Sequence, residues 1–178
     1  MPRFELDLNP VTHLTVDAIG QPGQRVFYIQ GWKESDPQPA TIIIEKLQIQ
    51  SLAVGVEQFL AEIVRQNPNL LQASADYVEA QMHINPPVDP LFRAGDIGLG
   101  YDRERDLVVL LAREIVMEGG DSEEAAVVRY WCSRSQLLAM ARWGVEVASR
   151  GRPLCSQCGE PMEPGGHFCP KKNGHRKQ

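Results

Sequence analysis

Nothing in this 178-residue chain points to a membrane, to export or to disorder. Its longest strongly apolar run, Leu107 to Ala112, is far too short to cross a bilayer as a helix. The opening Met1-Pro2-Arg3-Phe4-Glu5-Leu6-Asp7 lacks the apolar segment of a secretory signal. A soluble, cytoplasmic protein without membrane contact is therefore expected. Cysteine is scarce: there are four, and three of them fall after residue 150, which excludes a disulfide framework spread over the chain. Aromatics make up only 7% of residues, and Trp32, Trp131 and Trp143 are not spaced as a platform for stacking bases. No G-x-S-x-G and no Ser-His-Asp pattern occurs. What is present suffices for a core, with 43% apolar and 23% charged residues.

Charge is unevenly placed. From Arg150 onward six cations face only Glu160 and Glu163, a net of +4, which leaves −9 on the rest of a chain whose total is −5. An acidic body excludes a broad nucleic-acid face, because phosphate neutralisation supplies most of that affinity. Nucleic-acid contact is conceivable only through the basic tail.

The periodicity predicts an α+β protein in which a βββα unit is used twice. Leu14 to Ile19 and Arg25 to Gln30 are β-rich runs around the turn Gly20-Gln21-Pro22-Gly23. After the Pro-rich connection Ser35 to Pro39, Thr41 to Leu47 reads as a third strand, its Thr41-Ile42-Ile43-Ile44 opening buried on both faces. Leu52, Val56, Phe59, Leu60 and Ile63 then form a helical stripe that Asn67-Pro68 ends. The second half has a hairpin, Phe92–Tyr101 with Asp106–Val116, a strand Ala125–Cys132, and a helix opened by a Ser133/Gln136 capping box and closed by Gly151 and Pro153. An offset of 85 superimposes the two helical stripes and sets Leu47 on Cys132. The expected architecture is one pseudo-twofold domain over residues 1–150, with repeats at about 10–67 and 90–150, a connector over 68–89, and a small zinc-ribbon-like tail over 151–178.

The tail carries the strongest chemical signal. Cys155 and Cys158 have C-x-x-C spacing, with Gly159 free to relax the backbone behind them, and Cys169 adds a third sulfur. Three thiolates and one histidine make a closed structural zinc site. His167, two positions before Cys169, points the same way as that cysteine on an extended segment and is the favoured fourth ligand; His175 is the alternative. With four protein ligands the zinc has no vacant position, and in so short a segment it replaces a hydrophobic core.

Other polar residues carry weaker signals. Gln30, Glu45, Lys46 and Gln48 lie near the ends of apolar strands and, with Tyr130 as an aromatic floor, outline a small-ligand pocket between the repeats. Cys132, at the end of an apolar strand, reads as an inert core thiol. The glycines of Gly95-Asp96-Ile97-Gly98-Leu99-Gly100 fall inside a strand rather than between a strand and a helix. They mark a bulge or close packing, not a phosphate loop.

Several of these segments together resemble a known family: Phe27-Tyr28-Ile29-Gln30, Glu45-Lys46-Leu47-Gln48, Gly151-Arg152-Pro153-Leu154-Cys155-x-x-Cys158-Gly159 and Gly166-His167-x-Cys169-Pro170-x-x-Asn173-Gly174. The chain is similar over nearly its whole length to a bacterial domain of unknown function found mainly in actinobacteria and chloroflexi. Many of its members have tyrosine at the position of His175, which favours His167. The resemblance implies no activity. The sequence alone therefore leads to a non-enzymatic, zinc-stabilised binding or adaptor protein with a protein or small-molecule partner. The alternatives are a small-molecule or nucleotide-processing enzyme with its pocket between the repeats, and nucleic-acid contact through the tail.

Overall fold

Strict alternation of buried and half-exposed positions builds the central strands. In Leu107–Glu114, Val108, Leu110 and Ala112 all turn inward. The computed structural model describes residues 3–163 and 165–172. Its elements are β1 (Glu5–Leu8), β2 (His13–Ile19), β3 (Val26–Lys33), β4 (Asp36–Ile44), α1 (Lys46–Gln66), β5 (Pro90–Asp102), β6 (Leu107–Glu114), β7 (Val127–Cys132) and α2 (Arg134–Ser149), with short 3-10 turns at Glu79–Gln81 and Pro170–Lys172. The result is a mixed α+β fold with one seven-stranded sheet, ordered β1-β7-β6-β5-β4-β3-β2.

The sheet curls because one short link joins its two edges. Residues 9–12 run from β1 at one edge to β2 at the other. On the way Val11 N–H donates to Trp131 O of β7 and Thr12 N–H to Trp32 O of β3, both at 2.8 Å. Tyr130 of β7 crosses the enclosed interior. Its ring would lie 2.7 Å from a Cβ at Gly31, and its hydroxyl donates to Ala40 O at 3.1 Å. Gly31 is thus a position where only a missing side chain lets a ring pass.

The strand–strand–strand–helix order expected from the sequence is present, as β2-β3-β4-α1 and then β5-β6-β7-α2. β2-β3-β4 and β5-β6-β7 are both antiparallel meanders, and β4 meets β5 in parallel. Here the last strand of one group meets the first of the next, so the groups follow one another along the sheet. The offset of 85 is corrected. Leu47, assigned to a strand, lies 72% exposed in the first turn of α1, whereas Cys132 is fully buried at the end of β7. The two helices are capped at Glu45 and Ser133, 88 positions apart, and each cap has a capping-box glutamine, Gln48 and Gln136.

Two further boundaries differ from expectation. β4 extends back through Pro37 and Pro39, because β5 begins to pair only at Thr41 and the proline nitrogens need no partner on that side. β1 is an additional edge strand, parallel to β7. The glycine-rich segment does form a strand, and the pairing of β5 with β6 shifts register between Ala94 and Asp96, at Gly95.

α2 is sandwiched between α1 and β2. A side chain at Gly144 would meet Val16 at 2.9 Å and Ile49 at 3.0 Å, so this helix, this strand and α1 touch there at backbone distance. The connector after α1 is tied down along its length. Arg134, only 7% exposed, forms a two-pronged pair with Asp106 (2.8 and 3.0 Å) and donates to Leu71 O at 2.8 Å. Asp17 accepts from Ile84 N–H and contacts His83 Nδ1 at 3.0 Å. Gln30 holds Asn85.

Candidate metal centre

The tail follows α2 directly and folds without an apolar core. Among its described residues only Cys155 and Cys169 are buried, while Leu154 and Phe168 are 64% and 67% exposed. Order comes instead from two tight reversals. Cys155 N–H donates to Glu160 O and Gly159 N–H to Cys155 O, each at 2.8 Å, and Leu154 bridges to Pro161. Glu163 and Gly166 close the second reversal. Gly159 (φ 76°) and Gly166 (φ 93°) sit where the chain turns through the left-handed region, which glycine adopts without steric cost.

These reversals bring Cys155, Cys158, His167 and Cys169 together, with one donor atom from each within 4.8 Å of all the others. Cys155 Sγ and Cys169 Sγ are 3.9 Å apart, and Cys158 Sγ and His167 Nε2 are 3.2 Å apart. Thiolates at the usual zinc–sulfur distance on a tetrahedral ion stand about 3.8 Å apart, so the spacing fits a four-coordinate metal. The donors suit it too. Backbone N–H groups of Cys158 and Gln157 aimed at Cys155 bring its thiol down to about 7, favouring the thiolate that a metal needs. At Cys158 the N–H of Glu160 acts in the same direction, but desolvation and the neighbouring thiols outweigh it and its pKa rises. The group can hold a metal ion, and an ion so bound is gripped on four sides. His175 lies outside the described residues.

The polar residues assigned to a pocket are not brought together. Gln30 is fully buried and spent on the connector: its amide donates to Thr41 Oγ1 (3.0 Å) and Asn85 O (3.1 Å) and accepts from Asn85 N–H (2.8 Å). Glu45 caps α1 and pairs with Arg93. Gln48 accepts from Glu45 N–H at 2.8 Å and donates to Gly95 O at 2.8 Å. Tyr130 is sealed inside the sheet. Only Lys46 faces a cleft, and the other walls of that cleft were not foreseen. Cys132 is enclosed, and burial pushes its thiol up to about 12, which leaves it unreactive.

The sequence reading missed the arginines at the junction of body and tail. Arg25 donates from Nη1 to Val147 O at 2.8 Å and from Nη2 to Ala148 O at 3.4 Å, closing the carbonyl end of α2. Arg152 pairs with Glu163. A single arginine at the start of a strand carries no pattern that would single it out.

A curled sheet carrying a Cys3His cluster that could hold a metal ion defines a small α+β protein. Residues 6–169 match the family described as protein of unknown function (DUF3090), and the chain belongs to that family. No curated protein and no solved structure matches it.

Proposed function

We propose that this is a zinc-stabilised binding protein, in which the ion organises the tail and performs no chemistry. The observation that carries this reading is the closed donor set: three thiols and an imidazole within 4.8 Å fill a tetrahedral shell and leave no position for water or substrate. Sulfur-rich coordination of this size favours zinc among the common divalent ions. The enzyme alternative finds little support, since Gln30, Glu45 and Gln48 are all committed to structural hydrogen bonds. For contact of the tail with nucleic acid, Arg150 is paired with Glu79 and Glu146 and Arg152 with Glu163, while Arg176 and Lys177 lie outside the described residues. We further read the two strand–helix groups as a tandem duplication, on the strength of their common order and matching capping boxes.

Cobalt substitution tests the closed site. The cobalt-loaded protein should show the visible bands of a tetrahedral, thiolate-rich ion, and azide should leave them unchanged. A spectrum that azide shifts would reveal an exchangeable position and favour catalysis.

A further inference from the structure

Where the tail meets the body, a cleft of about 240 Å³ is walled by Arg25, Lys46 and Arg152, with Gly23 and Gly151 on its floor. These cations come from three parts of the chain: the start of β3, the first residue of α1, and the tail. Among the described residues neither Arg25 nor Lys46 has a carboxylate partner. Glu45, beside Lys46, is turned to Arg93, and Glu163 is taken by Arg152. The Arg25 guanidinium is partly desolvated, which lowers its pKa; it lies over the Phe27 ring, 4.9 Å from its centre, and donates to two helix carbonyls, but no described carboxylate offsets its charge.

Gly151 gives the cleft its shape. An atom at its Cβ position would lie 3.1 Å from Arg25 Nη2 and 3.2 Å from Lys46 Nζ. That is the place an anionic oxygen would take to accept from both at once. The backbone does not demand glycine here, because Gly151 is not among the residues with positive φ. Two like charges thus converge on one point that no side chain occupies. A second hollow, of about 670 Å³, shares Gly23 and Arg152 with the first and is lined further by the 21–24 turn, Pro153 and Met162.

We propose that this seam binds a small phosphomonoester, with phosphate oxygens between Arg25 Nη2 and Lys46 Nζ, Arg152 alongside, and the uncharged part of the molecule in the larger hollow. A phosphate dianion matches convergent cations better than a monoanion does, and the recessed, small cleft suits a free phosphate ester. The site deepens the reading of a binding protein and rests on an ordered tail, since Arg152 comes from it.

The test is titration of the zinc-loaded full chain with inorganic phosphate and with glycerol 3-phosphate at fixed ionic strength, by calorimetry and by chemical shifts at Gly23 and Gly151. Saturable binding is expected, weakened about tenfold or more in Lys46→Gln and in Gly151→Ala, and unchanged in the remote Arg113→Gln. Both informative variants should keep the wild-type melting temperature in phosphate-free buffer, because Lys46 is exposed and the tight contacts of a methyl at 151 are with flexible side-chain ends, the backbone oxygen of Ala148 lying at an ordinary 3.7 Å. Absence of saturation, or equal binding by all variants, overturns the proposal. Zinc content measured on the same samples separates the two readings: zinc-loaded protein that ignores phosphate defeats the anion site alone, and an ordered tail without zinc defeats the metal reading alone.

Discussion

Replacing Gln30 by leucine should loosen the connector more than any surface change of similar size. The wild-type amide is fully buried and makes three hydrogen bonds, one to Thr41 Oγ1 and two to the main chain of Asn85. Leucine keeps the volume and removes all three. At about 1 kcal/mol net per bond the loss is about 3 kcal/mol, and the apolar gain of leucine together with water reaching Asn85 returns about 1 kcal/mol of it. A net destabilisation of about 2 kcal/mol lowers the melting temperature by about 4–8 °C in a chain of this length. Thr41→Val removes one of the same bonds and should cost about 1 kcal/mol, and the double variant should fall short of additivity because the two share a partner. Urea unfolding gives the energies, and amide exchange at Asn85 reports the local release. If Gln30→Leu unfolds at the wild-type urea midpoint and Asn85 exchanges no faster, the connector is not anchored here and the reasoning fails.

Gly31→Ala places a methyl 2.7 Å from the Tyr130 ring, which cannot retreat inside the curled sheet, and should cost about 1–3 kcal/mol in urea unfolding; unchanged stability would show that the sheet is open there. The Asp106 carboxyl is held below its ordinary value, chiefly by the hydrogen bond from Arg134 and also by the Tyr101 hydroxyl. With the folded-state pKa lowered, this pair stabilises fully above the unfolded value near pH 4 and weakens as pH falls through the lower native one. Asp106→Asn should therefore flatten the acid limb of the urea midpoint below about pH 4, and an unaltered limb would exclude the pair as its source.

Local pattern made some of this legible and hid the rest. Thr41-Ile42-Ile43-Ile44 is a strand buried almost throughout, and Ser133 with Gln136 caps α2 as its spacing indicates. The C-x-x-C and His-x-Cys spacings located the Cys155, Cys158, His167 and Cys169 cluster because chelation geometry is written into short segments. Glu45 misled: glutamate is an uncommon N-cap, so the strand was carried on to Leu47, and the repeat offset shifted by about a helical turn. Element order says nothing of which strands become neighbours, and here the 9–12 link draws the two edges of the sheet together. The fates of Gln30 and Arg25 depend on partners 55 and 122 residues away, beyond the reach of any periodicity.

The most direct test weighs the purified full chain by native mass spectrometry and follows residues 153–170 by NMR. The account predicts one zinc per chain. Cys158→Ser or a strong chelator should remove it and erase the dispersed tail signals while those of the sheet stay in place. A chain that carries no metal yet keeps a well-dispersed tail would contradict it.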